Sequence, residues 1–559
     1  MSERERLIYL PLGGAGEVGM NAYVFGFGPP GEERLILVDL GVTFPDMDTT
    51  PGIDLILPDV AWLAERRERL EAIFITHAHE DHVGALGHLW PQLRAPVYAR
   101  RFTSAIARMK LEERGQDPAV VTTVEAYPET VEAGPFRVAF LPVSHSIPES
   151  AGLVIDTPAG RIVHSGDFKL DGNPLVGEPF DPKLWQKVAK EKGRLRAMTC
   201  DSTNVFVPHP GRSEATLPSV IEELIRAAPG MVAATTFASN VARVRTLAVA
   251  ARSAGRSVVL LGRAMKRMVT AAVETGVLTD FPPTVAPEDA ESIPRENLML
   301  IVTGSQGERR AATAQLSRGK YLGFEMAEGD TFLFSSKTIP GNERSVLRIV
   351  NAFSEIGVEV VDDRDSRYHV SGHANRPDLE AVHELMKPAM LIPMHGEHRM
   401  LREHALLAAS KGLASEVAPN GTMLDLTGAA PEIVEYIETG RLYLDGTALI
   451  GAMDGVVRDR IRMALNGHVL VTLIVENDEP LGDAWAEVMG LPATGRSKRL
   501  LAEVIEADVT EFLERAGRKV LADDDKVDDG VRRIVRQTAL DEVGKKPEVT
   551  VVVSRISPG

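Results

Sequence analysis

The chain has 559 residues, too many for one hydrophobic core, and the length alone predicts about three or four domains. With 44% apolar and 25% charged residues it has the composition of an ordinary soluble protein, and no run is long and apolar enough to span a bilayer. A single cysteine, Cys200, excludes an intrachain disulfide framework, and a net charge of −17 argues against a surface coated in basic residues for nucleic acid.

A local basic channel stays compatible with that balance, because affinity for phosphate depends on where charge lies. In chain order, Ser2-Glu3-Arg4-Glu5-Arg6 lacks the apolar stretch of a signal peptide, so a cytoplasmic location is expected. To about residue 204 the chain is β-rich, with short apolar runs at 7–10, 35–38, 72–75, 136–141, 152–155, 161–164 and 195–199. Cys200, beside the last run, reads as a small buried hydrophobe.

From Gly230 the pattern becomes regular. Strands at 231–236, 257–261, 298–303, 331–335 and 358–361 alternate with helical stretches, which predicts a parallel sheet with crossover helices. Between Ala242 and Arg267 lie seven basic residues and no acidic one; alone, this reads equally well as a solvated helix face. A further strand at 389–393 ends in Met394-His395-Gly396-Glu397-His398 and precedes a helix, and the segment 430–455 reads as a connector. A last block has a strand at 467–475, helices near 498–516 and 529–543, and a closing strand at 549–554; Asp523-Asp524-Asp525 reads as a solvated loop.

The stretch Thr76-His77-Ala78-His79-Glu80-Asp81-His82-Val83-Gly84 carries the strongest chemical signal. Three imidazoles and a carboxylate stand at i, i+2, i+4 and i+5, a spacing that does not fit one helical face. It fits a loop leaving a buried strand, with side chains fanned around one or two cations. Imidazole and carboxylate suit zinc or manganese, whereas calcium calls for an all-oxygen set. Other apolar runs end in Val38-Asp39-Leu40-Gly41, in Val143-Ser144-His145-Ser146, in His164-Ser165-Gly166-Asp167 and in Met394-His395-Gly396. Singly each is weak; in this order they form a specific set.

That set closely resembles the metallo-β-lactamase superfamily. The resemblance implies that His77, His79 and His145 hold one metal and Asp81, His82 and His395 a second, with Asp167 bridging and Asp39 orienting a ligand. Two such ions lower the pKa of a shared water and stabilise attacking and leaving oxygens, which suits hydrolysis of an anionic ester. Between Asp167 and His395 stands an insert, roughly residues 205–370, that resembles the β-CASP domain of nucleic-acid-processing nucleases. Thr199-Cys200-Asp201-Ser202-Thr203 and His369-Val370-Ser371-Gly372-His373-Ala374 match two further motifs of that group. His395, at a position usually apolar in DNA-acting relatives, favours RNA.

Leu12-Gly13-Gly14-Ala15-Gly16-Glu17-Val18-Gly19-Met20-Asn21, the nuclease motifs and the C-terminal block together resemble bacterial ribonuclease J over nearly the whole chain. The implied fold is α/β: a metallo-β-lactamase αββα sandwich (1–205 and 369–430), an inserted β-CASP parallel-sheet domain (206–368), a linker (431–455) and a small C-terminal α/β domain (456–559). The implied activity is that of a 5′-to-3′ exonuclease preferring 5′-monophosphate RNA, with endonuclease activity besides, in RNA processing and decay. Asp81, Asp201 and His373 would be catalytic, His373 acting as general acid toward the leaving 3′-oxygen. The implied partners are single-stranded RNA and further copies of the chain, as a homodimer or homotetramer, with no membrane.

Loops at strand ends of the insert can cradle phosphate where each precedes a helix, although Ser and Asn there are also ordinary N-caps. The expectation is a 5′-monophosphate pocket built from Ser371 and Gly372 with at least one of Ser239, Asn240 and Ser305, and with His369 and His373 as further RNA contacts. Phe237 is a stacking candidate that reads better as core. The competing readings are a DNA-acting phosphodiesterase of the same group, a thioesterase or lactamase, and an inactive scaffold. The long insert opposes the hydrolase of small substrates, and the complete ligand set opposes the scaffold.

Overall fold

The computed structural model describes residues 5–339, 341–362, 364 and 366–556. The chain divides into two units, Met1–Thr43 with Leu57–Arg441, and Phe44–Ile56 with Leu442–Gly559.

The larger unit contains an eight-stranded and a seven-stranded sheet. Period-two alternation in the strands makes a sandwich of them. Along Phe136–Pro142, the side chains of Phe136, Val138 and Phe140 join Tyr9, Phe25, Ile36 and Phe74 of the first sheet in one core. Their neighbours Ala139 and Leu141 face the other way, into a second core with Trp185, Val188, Leu379 and Leu407 from helices. The same switch occurs between Ile392, in the first core, and Leu391, in the second. Strands buried on both faces read as continuous apolar runs, which is why they stand out in the sequence.

The insert leaves after the strand Ala197–Asp201 and returns before Met390–Met394, and these two are adjacent and parallel. It forms a five-stranded parallel sheet in the order Ser257–Leu261, Leu298–Val302, Val232–Thr235, Thr331–Phe334, Glu359–Val361. The expected strands are all present, each within a residue or two of its predicted ends. The basic run is a solvated face in part: Arg252, Arg263, Lys266 and Arg267 are exposed, whereas Arg243 is fully buried and Arg256 nearly so. Arg243 makes a two-point ion pair with Glu214 (2.6 and 3.0 Å) and donates to the carbonyls of Ser335 (2.8 Å) and Tyr368 (3.4 Å).

In the smaller unit, His468–Glu476 pairs antiparallel with Trp485–Met489 and parallel with Glu548–Ile556. Val469, Val471 and Leu473 pack against Ile505 and Val509 of the helix Leu501–Arg515 and against Val531 and Val535 of the helix Asp524–Val543. Asp523-Asp524-Asp525 is not a loop. Asp523 caps the second helix by accepting from the Lys526 amide, and the next two aspartates lie in its first turn, where the helix dipole favours negative charge. Nor is 430–455 plain connector: Glu432–Tyr436 is the edge strand of the eight-stranded sheet, and Arg441–Asp445 pairs with Ala448–Gly451.

Candidate active site

The strand Leu70–Ile75 ends just before the metal motif. His77 and His79 stand on the loop that follows, while Asp81 and His82 lie in a single helical turn, Glu80–Val83. On the neighbouring parallel strand, Asp39 comes directly after Arg34–Val38 with φ of 62°, a left-handed conformation uncommon outside glycine. That turn aims its carboxylate at the motif. Oδ1 accepts from the Thr76 amide (2.7 Å), and Oδ2 accepts from the Thr76 hydroxyl (2.8 Å) and from His82 Nδ1–H (2.7 Å). Two residues on, a Cβ on Gly41 would stand 1.6 Å from the Asp81 carbonyl oxygen, so only glycine allows the two segments to meet.

The tautomers follow from these bonds. His77 Nδ1–H donates to Thr76 Oγ1 (3.0 Å), whose own proton is already given to Asp39. His145 Nδ1–H donates to the Gly372 carbonyl (2.6 Å), and His395 Nδ1–H to Asn21 Oδ1 (2.7 Å). With His82 held by Asp39, four imidazoles each commit Nδ1 to the protein and turn Nε2 into the cluster, where that of His82 also lies 3.0 Å from Asn21 Nδ2.

These nitrogens converge. His79 Nδ1 lies 3.1 Å from both His77 Nε2 and His145 Nε2, and Asp167 joins this group. His82 Nε2 and His395 Nε2 lie 3.2 and 3.4 Å from Asp167 Oδ2, with Asp81 Oδ2 at 3.6 and 3.9 Å from the same nitrogens. Asp167 Oδ1 is buried with no hydrogen-bond partner. Burial pushes His77 and His145 well below the usual histidine range and His79 down to about 4, so all three offer lone pairs at neutral pH. Burial also opposes ionisation of Asp167, but His395 and His82 hold it well below the carboxylate range. Lone pairs facing one another beside a buried carboxylate are the donor set that a divalent cation satisfies. The residues present fit the group.

His373 stands beside this cluster, its ring 5.0 Å from that of His145 and 5.6 Å from that of His395. Its Nδ1–H donates to Asp201 Oδ2 (2.8 Å), and Asp201 Oδ1 accepts from the Thr203 amide and hydroxyl (2.9 and 2.7 Å). Burial disfavours the charged ring, yet the charge of Asp201 and its hydrogen bond prevail and push His373 up to about 9. The Ser371 hydroxyl oxygen accepts from Asn204 Nδ2 (2.8 Å) and from the His373 amide (3.2 Å). Between them, a Cβ on Gly372 would come within 2.9 Å of the His145 ring.

The insert residues behave differently. Asn240 is the N-cap of the helix Val241–Ser253, its Oδ1 accepting from the Arg243 amide (3.0 Å). Ser239 precedes it, half-buried, and Phe237 is half-buried too rather than core. Ser305 follows the adjacent strand Leu298–Val302 and is buried. His369 Nδ1 lies 3.2 Å from Arg243 Nη1, which places this histidine at the link between insert and sandwich. The sequence reading missed Asn21 and Asn204. Asn21 accepts from His395 and Tyr23 and donates to the Asp81 carbonyl (3.0 Å), so one buried amide holds two candidate ligands. Its only signal was its place at the end of the glycine-rich opening motif.

Fold and site together define a metal-dependent hydrolase of the metallo-β-lactamase superfamily. Residues 15–222 match the metallo-beta-lactamase superfamily, 229–353 the ribonuclease J beta-CASP domain, 357–418 the Zn-dependent metallo-hydrolase RNA specificity domain, and 455–556 the ribonuclease J C-terminal domain. Ribonuclease J of Sinorhizobium meliloti is 40% identical, over 100% of this chain and 98% of its own length. Ribonuclease J of Mycolicibacterium smegmatis is 35% identical over 98% and 96%, and that of Thermus thermophilus 33% over 89% and 86%. A crystal structure of a protein of unknown function from Enterococcus faecalis shares the fold with a TM-score of 0.52, at 15% identity, over 75% of this chain and 100% of its own. The chain belongs to the ribonuclease J family and is a metal-dependent hydrolytic ribonuclease. No described helix is long and apolar enough to cross a membrane.

Proposed function

We propose that the enzyme is a 5′-to-3′ exonuclease on single-stranded RNA with a 5′-monophosphate, and that it also cuts internally. The observation that carries this reading is the His373–Asp201 pair set against a cluster of converging imidazole nitrogens. Two divalent ions, zinc or manganese, would be held by His77, His79 and His145 on one side and by Asp81, His82 and His395 on the other, with Asp167 between them. When bound, such ions lower the pKa of water and neutralise charge on phosphate oxygens. Asp39 and Asn21 fix the tautomers of His82 and His395. Asp201 holds Nδ1–H of His373, which leaves Nε2 to carry the proton given to the departing 3′-oxygen.

The 5′-monophosphate would sit against Ser371 and Gly372, with His369 and at least one of Ser239, Asn240 and Ser305 behind it. Ser371 keeps its hydroxyl proton for such a contact, because both of its observed bonds are accepted ones. A pocket for one terminal nucleotide, beside the cluster, accounts for stepwise removal. We assign the domains as 1–205 with 369–430, 206–368, and 456–559, with 431–455 a structured connection that carries the edge strand Glu432–Tyr436; the last domain would mediate a homodimer or homotetramer, testable by light scattering on a chain cut near residue 455. The place of action would be the cytoplasm, in RNA processing and decay.

The deciding experiment is a time course on matched RNAs bearing 5′-monophosphate or 5′-triphosphate, with a single-stranded DNA control and products resolved at one-nucleotide steps. Mononucleotide release from the monophosphate RNA is expected. Equal rates on both RNAs would remove the 5′-phosphate pocket, and preference for the DNA would remove the RNA reading.

A further inference from the structure

A second group of ligand-type side chains lies outside the hydrolytic centre. Cys200, His383 and His404 are all buried, and their ligand atoms lie within 4.8 Å of one another. Strand alternation puts Cys200 on the helix-covered face of Ala197–Asp201, packed with Leu379, Val382 and Leu407. His383 comes from the helix Arg376–Met386 and His404 from His398–Ser410.

The hydrogen bonds here repeat the logic of the main cluster. The Ser202 hydroxyl lies 3.4 Å from the Cys200 carbonyl and 2.9 Å from His404 Nδ1; donating to the carbonyl, it would accept from Nδ1–H and leave His404 Nε2 bare. That nitrogen faces His383 Nε2 at 3.0 Å, with the two rings nearly parallel. His383 Nδ1 is buried and has no partner. Something positively charged or protonic must stand between the two nitrogens, and a thiol lies within reach of both.

We propose that Cys200, His383 and His404 form a separate site for a thiophilic divalent cation of the zinc type. Thiolate with two imidazoles selects against magnesium and calcium, whereas the hydrolytic cluster contains no sulfur at all. The Cys200 thiolate balances part of the charge of the ion. The site is structural: it joins the strand that ends in Asp201, the helix that follows the Ser371–His373 loop, and the helix that follows His395. It stands whether or not the 5′-monophosphate reading holds. Its competitor is a single proton shared between the two imidazoles, with Cys200 an inert neighbour.

Because Cys200 is the chain's one cysteine, any thiolate-to-cobalt charge-transfer band must arise from it. The test is the full chain produced in cobalt-supplemented medium, so that the ion enters during folding. The near-ultraviolet sulfur–cobalt band is expected in the parent and absent from Cys200→Ser and from His383→Leu. Each variant should carry one cobalt fewer per chain and keep RNA cleavage within about tenfold of the parent. A parent protein without the band, or cobalt content equal in parent and both variants, would overturn the site in favour of the shared proton. If Cys200→Ser fails to fold, the parent spectrum and His383→Leu still decide the matter.

Discussion

At the candidate metal cluster, His77, His82, His145 and His395 each bind the protein through one nitrogen and turn the other toward the neighbouring ligand-type groups. At the strand ends of the insert the polar groups turn inward instead. Asn240 caps a helix, Arg243 binds Glu214 and two carbonyls, and Gln306 bridges the Lys337 carbonyl (3.0 Å) and the Ile339 amide (2.8 Å). The two regions thus differ: the sandwich end turns lone pairs toward one another, while the insert ties most of these polar groups to its own backbone and leaves others, such as the unpartnered Ser336 hydroxyl, open.

At the largest scale, His77→Ala or Asp81→Ala should abolish cleavage of every RNA with loss of bound metal; a gel assay with metal analysis checks both, and retained cleavage would dissolve the cluster's role. Next, His373→Ala should lower kcat by about 10²- to 10⁴-fold, the usual worth of a general acid, with metal content unchanged. Loss of metal in that variant would make His373 a ligand rather than an acid. Asn21→Leu should cost about 10- to 100-fold in metal affinity, the range for groups that orient a ligand, as read by titration calorimetry. Ser371→Ala should slow one-nucleotide stepping more than internal cutting; equal loss of both argues against a dedicated pocket. Smallest is Asn240→Ala, which should remove about 1 kcal/mol of stability as a lost N-cap and leave kcat/KM unchanged. A large activity loss without destabilisation would return Asn240 to the substrate site.

The candidate ligands were legible because each ends or follows an apolar strand, and strand ends are visible in a sequence as a change of residue type. The parallel sheet of the insert was legible for the same reason. What escaped was anything defined by a distant partner. Asn21 lies 374 residues from His395, and Arg243 lies 125 from Tyr368, so no local pattern announces either bond. Glu432–Tyr436 escaped for another reason: every residue of that edge strand is exposed, so it lacks the apolar alternation that marks a half-buried strand. Asp523 was misread because an N-cap aspartate and a loop aspartate look alike until the helix behind them is known.

One bond has a temporal consequence. The Gly372 carbonyl that sets the tautomer of His145, and His395 itself, both come after the insert. A nascent chain that has emerged only as far as the insert already carries His77, His79, Asp81, His82, His145 and Asp167, yet lacks the segment that orients one of them and supplies another. The group of candidate ligands is therefore complete only once the strand Met390–Met394 has emerged and paired with Ala197–Asp201.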